Sequence, residues 1–192
     1  MATTNINLTT KGKLFQFVTA IWASLRGKRY VLLSGKKDSG KSSLLKVLIG
    51  EKVVDGEGDD SVKAVKPALD IKINKMNYLF YDTNGGGDAN EEKEKLKDGF
   101  EHKKYKDKVA DFYLFDASKY DERERTAIAA FKKAREFKMA VIGTHRDKIT
   151  TERKEVIERE VSEEIKLPCK IFDFTQSPKA ELEKFICEAI QW

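Results

Sequence analysis

The eight residues Gly35-Lys36-Lys37-Asp38-Ser39-Gly40-Lys41-Ser42 constrain this chain more than any other feature. They satisfy the pattern GxxxxGK[ST]. Before them stands the apolar run Tyr30-Val31-Leu32-Leu33, read as a strand buried on both faces; after them, residues 41–49, KSSLLKVLI, read as a helix ending at Gly50. Glycines let such a loop wrap closely, its amides point inward at anionic oxygens, and the helix N-terminus adds a favourable dipole. The alternative, a Gly-containing turn with surface lysines, does not account for the strand–loop–helix context. The pattern therefore predicts a phosphate site drawn from Gly35, Asp38, Ser39, Gly40, Lys41, Ser42 and Ser43. Lys41 is expected to reach the terminal phosphates and the Ser42 hydroxyl to ligate Mg2+.

The rest of the chain alternates strands with helices. Leu69, Ile71 and Ile73 alternate with Asp70 and Lys72, and a turn around 74–77 leads to Tyr78-Leu79-Phe80-Tyr81-Asp82, so these two strands read as a hairpin. Further strands are expected at 112–115, 139–143 and 169–174, and helices at 121–137, 151–165 and 179–190. Residues 51–66 are acidic and poor in large apolar groups and read as a loop. Residues 91–108 carry seven basic and six acidic side chains and read as a solvated helix. The expected class is α/β, a three-layer fold on a mostly parallel sheet with one antiparallel edge hairpin strand.

Asp82 ends one buried strand and opens Asp82-Thr83-Asn84-Gly85-Gly86-Gly87. A carboxylate at the C-terminal edge of a parallel sheet lies where ligands bind, and it suits the magnesium water shell. A simple turn aspartate before glycines is the other reading.

At this point the chain resembles the Ras-like small GTPase superfamily. Asp82-Thr83-Asn84-Gly85 matches that family's DxxG motif, 47 residues after Gly35. Thr144-His145-Arg146-Asp147 stands where NKxD is expected, and Thr175-Gln176-Ser177 where SAK is expected. The resemblance implies a domain over 29–192 that binds GTP or GDP with Mg2+. It implies that Asp147 accepts from the guanine ring and amino groups, a contact that paired N–H donors make to a carboxylate. It implies that His145, in place of the usual lysine, covers the base, and that the backbone of Gln176, beside Thr175, meets the guanine oxygen. It assigns Lys41 and Gly85 to catalysis. An aspartate capping the next helix is the alternative for Asp147.

Two departures from the family pattern stand out. Residues 51–67 contain no threonine to bind Mg2+ from the first switch; Ser61 is the only hydroxyl there, either as a metal ligand or as an ordinary loop serine. Gly86 stands where many members place the glutamine that orients the attacking water, so slow intrinsic hydrolysis is expected. The loop lysines Lys36 and Lys37 either offer a cation to the terminal phosphate or point to solvent.

Charge is uneven. Residues 1–41 hold eight basic side chains and one acid, leaving 29 basic and 31 acidic side chains beyond them. Within that basic end, residues 13–25 place Leu14, Phe15, Val18, Ile21, Trp22 and Leu25 on one helical face, an N-terminal extension over 1–28 that is similar to the helix of the Arf-like branch. Ala2 excludes myristoylation on the usual rule. The helix either packs on the domain or contacts a membrane surface weakly through residues 11–29. The excess at one end argues against generic nucleic-acid binding. No apolar run approaches a membrane span, and the stretch 14–25, broken by Gln16, Thr19 and Ser24, does not read as a cleavable signal peptide. Cys169 and Cys187 form no CxxC, so neither zinc nor a disulfide framework is signalled, and a cytoplasmic protein is expected.

The leading reading is a GTP-dependent switch with slow hydrolysis, whose residues 52–66 and 83–105 form the surface for an effector or regulator protein. The alternatives are a GTPase-fold scaffold subunit with lost or minimal hydrolysis, and an ATP-using phosphoryl-transfer enzyme.

Overall fold

The computed structural model describes residues 29–51, 69–82, 109–133, 137–176 and 178–190. The expected helices at 13–25 and 91–108, the loop at 52–66, the segment 83–105, and with them Ser61 and Gly85, lie outside the described residues.

The first strand is central because it has no polar face to show to water. In β1 (Arg29–Gly35) Tyr30, Val31, Leu32 and Leu33 are all buried. A strand buried on both faces needs neighbours on both edges and layers above and below. It pairs in parallel with β3 (Met76–Asp82) on one side and β4 (Val109–Asp116) on the other. β5 (Lys138–Thr144) and β6 (Cys169–Ile171) extend the sheet in parallel beyond β4. β2 (Leu69–Ile73) runs antiparallel on the outer edge of β3, giving the order β2-β3-β1-β4-β5-β6. Its hairpin turns at Asn74 and Lys75, with φ of 47° and 69°; two positive-φ residues match the twist of the flanking strands. The expected α/β architecture with one antiparallel edge strand is the one observed.

Helices cover both faces. On one, α1 (Lys41–Ile49) and α4 (Lys179–Ile190) bury Leu44, Leu45, Val47, Leu48, Leu182, Phe185 and Ile186 against Val31, Leu33, Phe112, Leu114 and Ile142. On the other, α2 (Glu122–Lys133) and α3 (Thr151–Arg159), with the π-turn Glu160–Ile165 that continues it, bury Ile128, Phe131, Ile157 and Val161 on Tyr113, Phe115 and Val141. Each fully buried aliphatic or aromatic side chain contributes roughly 1.5–3 kcal/mol.

Local polar groups decide where elements stop. The last strand, expected over 169–174, ends at Ile171. Asp173 Oδ1 accepts from Thr175 N at 2.9 Å and Thr175 Oγ1 at 2.5 Å, folding the chain into a 3-10 turn at Phe174–Gln176. An aspartate that bonds the backbone two residues on competes with the sheet ladder. Phe172 and Phe174 both join the core under α4; their rings stack at 6.3 Å, and Phe172 meets Phe185 edge-on at 5.8 Å. β4 starts earlier than expected, at Val109, because Asp111 is buried within it, accepting from Ser34 Oγ at 2.8 Å.

Thr150 caps α3, its side chain accepting from Arg153 N at 3.2 Å. Thr150→Ala removes that acceptor and is expected to cost about 1 kcal/mol in urea denaturation, with an unchanged slope.

Candidate functional site

The phosphate loop joins the end of β1 to α1, at the carboxyl edge of the parallel sheet, the edge where ligands bind in open α/β folds. Gly35 has φ 139°, and a Cβ placed on it would lie 2.2 Å from Leu114 O. Gly40, the N-cap of α1, has φ 87°, and a Cβ there would lie 2.6 Å from Thr144 Cγ2. The two glycines thus let the loop press against β4 and β5, something no side chain at either position permits. Asp38, exposed, sits in the left-handed region at φ 61°.

Within the loop the backbone curls around one cation. Lys41, only 6% exposed, directs its ammonium at Lys36 O (2.7 Å), Gly35 O (3.3 Å) and Ser39 Oγ (3.4 Å). Ser39 is buried, and Ser42 and Ser43 are half-buried in the first turn of α1. That turn contains no acid, and its cap makes no side-chain hydrogen bond. The positive end of the α1 dipole is therefore not offset by its own side chains, the condition for holding an anion. Asp82 ends β3, opposite Leu33 in the register, two residues before the loop begins on the neighbouring strand.

The second half of the site comes from β4, β5 and the loops after them. Thr144 ends β5, paired with Asp116 at the end of β4, and its Oγ1 donates to Phe115 O at 3.2 Å. His145 follows in the left-handed region at φ 57°; its Nδ1 lies 2.9 Å from Thr144 Oγ1 and 3.4 Å from Asp116 Oδ1. Asp116 also accepts from Ser118 N at 3.0 Å and Ser118 Oγ at 2.6 Å, and it pairs with Lys119 at 2.9 Å. Burial pushes its carboxyl up, but the bonds from Ser118 and Lys119 and the nearby His145 prevail and hold it below the usual value. That stabilisation is present at neutral pH and is lost as pH falls through the lowered value.

Asp147 is exposed on the 3-10 turn Arg146–Lys148. It does not cap the following helix, because Thr150 does. Arg146 braces the turn, its guanidinium donating to Ile149 O at 2.6 Å and Thr151 Oγ1 at 2.8 Å. Arg146 N also donates to Phe172 O at 3.3 Å, which ties this loop to the last one. There Thr175 and Gln176 are exposed.

The fold thus brings Gly35–Ser43, Thr144, His145, Asp147, Thr175, Gln176 and the end of β3 to one sheet edge. Sequence reasoning missed Asp116, although an aspartate ending a buried strand is the same signal that drew attention to Asp82. It also missed Glu124. This nearly buried carboxylate of α2 pairs with Lys36 Nζ at 2.5 Å and accepts from Tyr113 OH at 2.8 Å. Burial, then the bond to Glu124 and its charge, pushes the Tyr113 phenol far above its ordinary value, so it stays a proton donor.

A family model described as 50S ribosome-binding GTPase matches residues 30–171. Among solved structures, Era from Aquifex aeolicus, bound to GDP.AlF4-, is 18% identical over 85% of this chain and 57% of its own, with a TM-score of 0.60. The FeoB G-domain from Methanococcus jannaschii is 16% identical over 86% of this chain and 99% of its own, with a TM-score of 0.59. A GTP-binding protein from the archaeon Sulfolobus solfataricus, in complex with GDP, is 17% identical over 94% of this chain and 57% of its own, with a TM-score of 0.57. The chain thus spans little more than half the length of two of these three structures. At such identities the likeness is one of fold. No curated protein matches the chain. With its phosphate loop and sheet order in agreement with the match over most of its length, the chain belongs to the 50S ribosome-binding GTPase family of P-loop GTPases.

Proposed function

We propose that this protein is a guanine-nucleotide switch that binds Mg2+ with GTP or GDP and hydrolyses GTP slowly. The observation that carries this reading is the one sheet edge that holds both the glycine-shaped loop around Lys41 and, on the turn after β5, the exposed Asp147. Lys41 and the α1 N-terminus would hold the phosphates, and Asp147 would take the guanine N–H pair beside His145, with Thr144, Thr175 and Gln176 around the base. Among the described residues no three His, Cys, Asp or Glu gather into a metal cage. A hydroxyl, one carboxylate and phosphate oxygens suit Mg2+, which keeps most of its water. Ser42 would bind the ion directly, Asp82 would hold its water shell, and Ser61 is the first-switch ligand by the sequence reading. When bound, the ion would neutralise charge developing between the last two phosphates.

Gly85 belongs to the same reading, with residues 52–66 and 83–105 ordered by the terminal phosphate to form a surface for an effector or regulator protein. We also place the protein in the Ras-like class, with residues 1–28 as an Arf-like amphipathic extension to the domain over 29–192. Residues 11–29 give it weak contact with a membrane surface, and its compartment is the cytoplasm. The amphipathic spacing of 13–25 supports this. Among the described residues no helix is long and apolar enough to cross a membrane.

The direct test is the mass of any nucleotide released by denaturing the purified chain, followed by titration with GDP and a non-hydrolysable GTP analogue. Guanine nucleotide is expected, and adenine nucleotide with no guanine affinity overturns the reading. Asp147→Asn is expected to lower guanine over adenine selectivity about tenfold, one charged hydrogen-bond pair's worth. Unchanged selectivity would favour the ATP-using alternative. Gly86, in the place of the water-orienting glutamine, favours the scaffold alternative, and single-turnover phosphate release at the uncatalysed rate, with and without candidate partners, would establish it.

A further inference from the structure

Two lysines follow Gly35 in the phosphate loop, and the fold treats them differently. Lys36 directs its ammonium away from the Lys41 pocket, onto Glu124 Oε2 at 2.5 Å. The Lys36 side chain is 63% exposed, but that of Glu124 is 9% exposed. This asymmetry makes the pair unlike a surface salt bridge. If Lys36 leaves, a buried carboxylate remains with the Tyr113 hydroxyl, at 2.8 Å, as its one side-chain donor among the described residues. Asp121 Oδ1 accepts from Glu124 N at 2.9 Å, which fixes the first turn of α2 and with it the carboxylate. The backbone of Lys36 meanwhile faces the other way, its carbonyl accepting from Lys41 Nζ at 2.7 Å. One residue thus supplies an acceptor to the phosphate-site cation and surrenders its own cation to α2.

We propose that Glu124, clamped between Tyr113 and Lys36, is a specificity-determining latch that withholds the Lys36 charge from the terminal phosphate and so sets the ratio of triphosphate to diphosphate affinity. The inference rests on the nucleotide reading above. A cation free to swing over the loop would meet the γ-phosphate, which GDP lacks, and would strengthen GTP binding selectively. With Lys36 latched, the loop's contribution comes from Lys41 and the amides, which both nucleotides share. The latch also connects the site to α2, so anything that shifts the first turn of that helix changes the charge presented to the nucleotide.

The test is equilibrium titration of the full chain with GDP and a non-hydrolysable GTP analogue, for the wild type, Glu124→Gln, Lys36→Met and the double variant. Glutamine keeps an acceptor for Tyr113 and removes the charge. Glu124→Gln is expected to raise the ratio of analogue to GDP affinity about fivefold, the scale of one partly solvated charge pair, and to have no such effect in the Lys36→Met background. A merely structural Glu124 would weaken both nucleotides equally; an unchanged ratio, or the same change without Lys36, overturns the latch. Acylation of the nucleotide-free wild-type chain, read by mass spectrometry, needs neither nucleotide binding nor a folded variant. Lys36 is expected to react several-fold more slowly than Lys37, because its amine is held on a carboxylate. Equal rates overturn the latch, and slow Lys36 acylation in a chain that binds no nucleotide leaves the Lys36–Glu124 pairing standing and overturns the nucleotide reading on which the latch rests.

Discussion

Lys41→Ala is expected to lower affinity for both GDP and GTP about 100-fold, roughly 3 kcal/mol at 1.4 kcal/mol per tenfold, with little change in unfolding of the nucleotide-free chain. The size follows from the geometry. Lys41 is 6% exposed, and its ammonium is already seated among Gly35 O, Lys36 O and Ser39 Oγ. Little conformational entropy is left for ligand binding to remove, and the surrounding atoms screen the charge less than water does. The small effect on folding is expected because Gly35 O, Lys36 O and Ser39 Oγ are uncharged acceptors, so the substitution leaves no charge of theirs unpaired. Calorimetric titration measures the affinities, and an unchanged Kd for both nucleotides would remove Lys41 from the site.

Gly35→Ala is expected to destabilise the chain by about 3 kcal/mol and to abolish nucleotide binding, through strain at a φ that alanine rarely adopts and a contact that cannot relax. The added Cβ would stand 2.2 Å from Leu114 O and 2.8 Å from Ser39 Oγ. Leu114 is Gly35's own register partner in the β1–β4 ladder, so its carbonyl moves only if the centre of the sheet moves. Gly50 provides the control: its φ is 84°, but a Cβ there meets nothing within 4 Å. Gly50→Ala should therefore cost only about 1 kcal/mol, the left-handed penalty without the clash. Urea denaturation of both variants checks the difference, and equal costs would show that φ alone, not the approach to β4, governs Gly35.

Much of the fold was legible because its signals are local. The apolar run at 30–33, the alternation at 69–73 and the helical spacing at 41–49 each describe an element within a window shorter than ten residues. Errors fell where a polar side chain found a hydrogen-bond partner. Asp173 reads as one more residue of a strand until its carboxylate is seen holding Thr175, and Asp111 interrupts an apolar run until Ser34 is seen beside it. The same holds at the site. The phosphate loop declared itself, since its glycines and lysine lie within eight residues. For Asp147 two roles were open, and what separates it from a helix cap is that Thr150 takes that place.

The sequence by itself determined the order and kind of the described strands and α-helices, and the position of the phosphate loop. These depend on backbone preferences and hydrophobic periods that neighbouring residues impose on one another. Only the tertiary structure decided that β1 lies between β3 and β4, that His145 stands against Asp116, and that Lys36 spends its charge on Glu124. The partners Ser34 and Asp111 are 77 residues apart, and Lys36 and Glu124 are 88 apart. A carboxylate's burial and its choice of cation depend on what the fold packs around it, and no local pattern carries that information. The basic charge of the phosphate loop was therefore readable as a count, but which of its lysines pairs with a buried carboxylate is set by the first turn of a helix from the other half of the sheet.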